Sequence, residues 1–196
     1  LEFPKTGTKV RVIDLMDHEL TTGERIEEFK QVPGLAPGVD LEKDIVKVAV
    51  FERHRGTGHV GLGFLGNYGL KRGAVATSVG HDSHNLVVAG VCDEDMIVAG
   101  NRVLENEGGL AIAVDGVVVG ELPLTVAGLM SDLPAEKADW KLEEMKAKLG
   151  ELGIQDGIDG FMTLAFVSLP VIPAIRVNTL GVVDVGKQEI VDAVIE

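Results

Sequence analysis

Apolar and β-branched residues gather in short runs broken by glycine, proline and polar turns, and a helical period shows in only two places. Residues 9–13 alternate basic and apolar, as a half-buried strand does, and 25–32 continue as a second strand or a short helix. Pro33-Gly34 and Pro37-Gly38 then mark a loop. That loop divides an N-terminal extension, 1–40, which could belong to a neighbouring β domain, from a main domain, 41–196. Residues 45–51 are almost wholly apolar and read as a buried strand that delivers Glu52, Arg53, His54 and Arg55 at its carboxyl end. Residues 74–79 and 86–91 read as two more strands, joined by the polar segment His81-Asp82-Ser83-His84-Asn85.

Residues 93–107 suit a helix, with Asp93, Glu94 and Asp95 at the positive end of its dipole and Gly108-Gly109 as a left-handed stop. Residues 110–114 and 117–122 flank Asp115-Gly116, the strongest hairpin signal in the chain. Over 134–149 a second helix is predicted. Ala138, Leu142, Met145, Leu149 and Leu152 recur at spacings of four and three, and Glu144 and Lys148 form an i,i+4 pair on the wet side. The apolar run 161–175 contains Thr163, Ser168, Pro170 and Pro173; it is shorter than the roughly 20 residues that span a bilayer and reads as core. Residues 181–195 read as terminal strands, with 188–195 alternatively helical. The fold class is therefore α+β (mixed α/β), mostly β-sheet with two main helices packed on it.

Glycine, at 25 residues, is densest between positions 56 and 73. Gly56-x-Gly58-x-x-Gly61 and Gly61-x-Gly63-x-x-Gly66 both spell the dinucleotide fingerprint, but that turn must open a helix, and the residues that follow are too glycine-rich to form one. A structural or ligand-covering glycine loop is the better reading.

With 196 residues, 45% of them apolar and 25% charged, the chain is one globular domain or two small ones. Its 18 basic and 31 acidic residues leave a net charge of −13, which repels phosphate backbones and anionic lipid, so neither nucleic acid nor membrane is an expected partner. The single cysteine, Cys92, excludes an internal disulfide and a site of several thiolates, and it fits a reducing cytoplasm. The chain opens without Met and without the plan of a signal peptide, and reads as a piece of something longer.

Two polar clusters carry the candidate chemistry. One is Glu52 and His54 at a strand's end; the other is His81, Asp82, His84 and Asn85 within five positions. If both converge on one cleft they make a ligand site; the alternative is a polar turn satisfying its own backbone. His18 and His59 read as solvated, and Lys71-Arg72 either meets an acidic group or, the preferred reading, solubilises a turn. Asp93, Glu94 and Asp95 serve the helix dipole. Cys92 is a small hydrophobe rather than a nucleophile.

The strings Glu52-Arg53-His54-Arg55-Gly56-Thr57-Gly58, Gly69-Leu70-Lys71-Arg72-Gly73-Ala74-Val75-Ala76-Thr77-Ser78-Val79-Gly80-His81-Asp82-Ser83-His84-Asn85, Asp93-Glu94-Asp95-Met96, Leu122-Pro123-Leu124-x-x-Ala127-Gly128-Leu129-Met130-Ser131-Asp132 and Phe166-Val167-Ser168-Leu169-Pro170-Val171-Ile172-Pro173 together resemble the C-terminal domain of bacterial-type adenine deaminases, from about residue 45 to the end. The resemblance implies an enzyme of the amidohydrolase superfamily that hydrolyses adenine to hypoxanthine and ammonia with metal-activated water. The metal, Mn, Fe or Zn, would sit in a separate (β/α)₈ barrel upstream, with none bound by this chain. Adenine, that barrel and further copies of the protein in a homo-oligomer are the implied partners. Taken with the two polar clusters, the resemblance leads one to expect His81, Asp82 and His84 in catalysis and Glu52, His54, Gly56, Thr57, Gly58 and Asn85 at the substrate, with the chain alone inactive. Arg55 departs from the pattern, which leads one to expect a second histidine there. Two rival readings are a structural or oligomerisation domain without catalytic residues, and a self-standing purine-binding module.

Overall fold

The computed structural model describes residues 1–4, 6–154 and 157–196. Among these, twelve strands and three helices form, nine of the strands in one sheet and three in a second. The strands are β1 (Lys9–Leu15), β2 (Thr22–Glu28), β3 (Ile45–Phe51), β4 (Val60–Gly66), β5 (Ala74–Thr77), β6 (Leu86–Gly90), β7 (Gly109–Val114), β8 (Val117–Pro123), β9 (Ile175–Asn178), β10 (Gly181–Asp184), β11 (Glu189–Val191) and β12 (Val194–Ile195). The helices are α1 (Asp93–Glu105), α2 (Ala135–Glu151) and α3 (Gly160–Val167). The α+β expectation holds, with strands dominant and a third helix added.

The large sheet runs β12-β1-β4-β3-β6-β5-β7-β8, with β2 paired to β1 along its whole length, and all its pairings are antiparallel except β1 with β4. Residues 9–28 thus hydrogen-bond into the same sheet as 45–123. The hairpin at Asp115-Gly116 forms as its sequence requires, both residues taking positive φ, 52° and 77°.

The two faces are covered differently. On one, α1 lays Met96, Ala99 and Val103 against Ala49, Ala74, Ala76, Leu86 and Val88, the small side chains letting the helix approach closely. On the other, α2, α3 and the three-stranded sheet cover Val46, Val48, Val50, Val75, Val87 and Ile112. From α2, Met145 and Leu149 are buried while Ala138, Leu142 and Leu152 are partly so, as the apolar stripe requires. Lys148 pairs with Glu151 at 2.7 Å, not with the predicted Glu144; one turn on, the carboxylate is already in reach.

One reading is corrected and two open ones are decided. The glycine-rich passage is no loop over its whole length: Val60–Gly66 is a central strand. Gly61 and Gly63 face the second sheet, where a Cβ on Gly61 would lie 1.7 Å from the Asn178 carbonyl oxygen. Glycine is there to let two sheets touch. Of residues 25–32, the part up to Glu28 is strand rather than helix, in β2, which begins at Thr22, and 188–195 contain the short strands β11 and β12, each with a backbone partner, in β10 and β1. The apolar run 161–175 is core only in part: Phe161, Leu164, Ala165, Val167 and Ile175 are buried while Pro170, Val171 and Pro173 are exposed, and its first part is helical. Asp159 accepts from the Phe161 and Met162 N–H groups at 3.1 and 3.0 Å and starts α3 where no periodicity announced it. No helix among the described residues is long and apolar enough to cross a membrane.

Candidate functional site

Sheet register builds the site. Phe51, the last residue of β3, pairs with Leu86, the first of β6. The segment after Phe51 and the segment before Leu86 therefore leave the sheet side by side, and the two polar clusters meet. The Arg53 N–H donates to Asn85 Oδ1 at 3.4 Å, Arg53 Nε donates to the His84 carbonyl at 2.6 Å, and His54 Nε2 lies 2.7 Å from the Ser83 carbonyl. A third segment joins through Arg53, whose guanidinium also donates to the Ala127 carbonyl at 2.8 Å. In the sequence Arg53 stands at the strand's end with nothing to single it out. Its partners are carbonyls distant along the chain, which no short-range pattern encodes. Burial without a carboxylate depresses its pKa.

The 52–58 loop is folded on Glu52. One carboxylate oxygen accepts from the His54 and Arg55 N–H groups at 2.6 and 2.8 Å, and the other from the Thr57 N–H and hydroxyl at 3.1 and 3.2 Å. These bonds, those to the Thr57 and other backbone N–H groups foremost, hold the Glu52 carboxyl down to about 2. It is an organiser of its own loop and stays ionised. Gly56 and Gly58 adopt positive φ, 63° and 73°, with open space where a Cβ would stand; their glycines answer to conformation rather than crowding.

The 81–85 turn rests on α3. The His81 N–H donates to the Ala165 carbonyl at 3.0 Å, and its ring lies 4.7 Å, centroid to centroid, from Phe166. Asp82 is exposed, its carboxylate 4.0 Å from His81 Nδ1. The Gly80 N–H donates to His84 Nδ1 at 3.3 Å, which leaves that nitrogen without a proton and the N–H on Nε2. His54 takes the same tautomer: the Ser83 carbonyl can only accept, so Nε2 carries the proton and Nδ1 is the nitrogen left free. Desolvation first, then the neighbouring His81, Arg53 and His54, lower the His84 pKa, so its ring is neutral at neutral pH. The site thus offers a ring N–H, a ring lone pair, a carboxamide and a guanidinium.

An apolar depression of about 350 Å³ opens beside it, lined by Phe51, Arg53, Gly56, Leu86, Met96 and Leu104 among others. Among the described residues no three of His, Cys, Asp and Glu are gathered in a way that would hold a metal ion. The other candidates have ordinary uses. Asp93 pairs with the buried Lys47 at 2.9 Å, Asp95 accepts from the Gly116 N–H at 2.7 Å, Arg72 pairs with Asp115, and burial pushes the Cys92 thiol up.

Residues 19–189 match the family model described as the adenine deaminase C-terminal domain. The chain is 46% identical, over 97% of its length and 33% of the relative's, to adenine deaminase 2 of Carboxydothermus hydrogenoformans. It is 45% identical, over 96% of its length and 32% of the relative's, to the adenine deaminase of Archaeoglobus fulgidus. With that of Oleidesulfovibrio alaskensis it shares 51% identity over 93% of its length and 32% of the relative's. The chain thus spans about a third of each of these relatives. With a family model covering most of the sequence and long relatives aligned across nearly all of it, the chain belongs to the adenine deaminase C-terminal domain family.

Proposed function

We propose that this chain is the C-terminal third of a cytoplasmic, homo-oligomeric enzyme that hydrolyses adenine to hypoxanthine and ammonia, and that its 52–58 loop and 81–85 turn complete the purine site. The observation that carries this reading is the convergence of those two segments through Arg53 and His54. Adenine presents ring acceptors and an exocyclic amine. The neutral His84 ring can donate from Nε2 to a purine nitrogen, His54 can accept at Nδ1, and the Asn85 carboxamide can read the heterocycle's edge. The apolar depression beside Arg53 supplies a wall for a planar ring. His81, held against Phe166, and the exposed Asp82 stand where a proton could pass to bulk water.

A divalent metal, Mn, Fe or Zn, belongs in this reading to a barrel carried by the other two thirds of the protein; when bound it would activate the attacking water. Among the described residues of this chain no cluster of His, Cys, Asp and Glu would hold it. What they contribute is orientation of the purine, proton exchange at His54 and His84, and exclusion of water.

In the full-length protein, His84→Ala and His54→Ala should each lower kcat/KM for adenine by 10-fold or more, on the order of what a positioned acid–base group supplies. Metal content should stay unchanged. Parental kinetics in both variants sink the catalytic reading. The staple that Arg53 makes across three segments favours one rival, a purely structural domain. Under that rival the same substitutions lower the melting temperature and spare turnover.

A further inference from the structure

A second site lies away from the polar cluster. Arg176, in β9, is 1% exposed, yet among the described residues it forms no ion pair. Nε donates to the Ile172 carbonyl at 2.7 Å, and Nη2 to the carbonyls of Pro173, at 3.2 Å, and Leu20. No described residue accepts from Nη1. The guanidinium lines a cavity of about 200 Å³ between the β1–β2 connection and α3. Burial lowers its pKa to about 10, as the removal of water from a cation does.

The surroundings narrow what would supply the missing charge. Glu19 and Asp159 line the same cavity, but each is engaged elsewhere: Glu19 accepts from the Thr21 hydroxyl, and Asp159 from the Phe161 and Met162 N–H groups. Their charges disfavour a multiply charged anion such as phosphate. Around the mouth, Met16, Leu20 and Met162 are 46%, 52% and 44% exposed, an apolar rim of the kind that marks a covered surface. A lone carboxylate arriving on an apolar surface satisfies both features, and desolvated charge ringed by apolar contact is how interface anchors are built. Two thirds of each long relative lies outside the matched segment, so a covering surface of that size is available in the same polypeptide.

We infer that this cavity is the socket by which the remainder of the full-length protein docks, inserting an Asp or Glu side chain to pair with Arg176 while apolar side chains cover Met16, Leu20 and Met162. The inference rests on the reading of the chain as the C-terminal third of a longer enzyme, and it concerns assembly rather than the purine site.

The test uses full-length protein. Arg176→Lys keeps the charge and supplies an amine that a zero-length carbodiimide can couple to a carboxylate; peptide mapping should find position 176 joined to an Asp or Glu outside the 196 residues. Met162→Glu places a like charge on the rim without touching the core, and should lower the unfolding midpoint by about 3 °C or more. If Arg176→Lys does not fold, the rim variant decides alone. A cross-link confined to Glu19 or Asp159, or an unchanged midpoint in Met162→Glu, overturns the inference. So does stabilisation of the parent by millimolar acetate that Arg176→Gln abolishes, since a free anion would then own the guanidinium. Neither readout involves adenine turnover, so failure here leaves the deaminase reading intact, and failure there leaves this one.

Discussion

Glu52 and Arg53 are neighbours in sequence with opposite tasks. Glu52 turns inward on its own loop through four hydrogen bonds, while Arg53 reaches outward to the carbonyls of His84 and Ala127. Glu52→Gln keeps the shape but lacks the charge that strengthens the bonds to the His54, Arg55 and Thr57 amides; their hydrogen exchange should quicken while global stability changes little. Acid should mimic it. Because the folded-state carboxyl titrates at about 2 against an ordinary 4.5, the loop's contribution is full above 4.5 and disappears as the pH falls towards 2. Amide exchange at these positions followed down that window should show the loop loosening before the sheet does. His84 has the opposite chemistry and the same direction of loss: its lowered pKa means that acid below its ordinary 6.5 charges a ring the folded site prefers neutral. At this scale the residue types of the site were legible, because a strand end and a polar pentapeptide announce themselves. The roles were not. That Glu52 holds its own loop, and that Arg53 bridges three segments, follows from carbonyls and amides whose positions no side-chain pattern reports.

Helix α3 shows what an element needs beyond its own pattern. Its eight residues, Gly160–Val167, are hydrophobic on nearly all sides, so no amphipathic period marks them, and an isolated helix of that length would not persist in water. It forms because Asp159 caps its first turn and because Phe161, Leu164, Ala165 and Val167 are buried together. Leu164, 0% exposed, touches the core on one face of the large sheet; Leu164→Ala should cost about 2–5 kcal/mol by urea unfolding, and Asp159→Ala about 1 kcal/mol. A larger loss from the cap than from the core residue would contradict this account. The same helix carries the carbonyl that holds the 81–85 turn, so both variants should also disturb His81. By contrast α1 and the β7–β8 hairpin were readable in full: three acids at a dipole, an Asp-Gly turn and flanking apolar runs are local causes with local effects.

At the scale of the whole molecule, two sheets meet at a glycine strand. β4 lies between β1 and β3 in the large sheet, and β9 and β10 pack across it where Gly61 and Gly63 offer no side chain. Gly61→Ala would drive a methyl into the Asn178 carbonyl; it should cost about 3 kcal/mol, read as a lowered urea midpoint. Gly56→Ala, with open space around it, should cost less and only through its positive φ.

The chain by itself determined its strands of branched residues, its two periodic helices, its hairpin and its acidic surface, because each arises from neighbours a few positions apart. It also carried long strings shared with a family. Tertiary structure alone decided that part of the glycine passage is a strand, that a short apolar run becomes a capped helix, that Phe51 lies opposite Leu86 and so draws two polar segments together, and that Arg176 is buried with no counter-charge among the described residues. All four depend on which surface arrives from far along the sequence, and sequence spacing does not encode that approach.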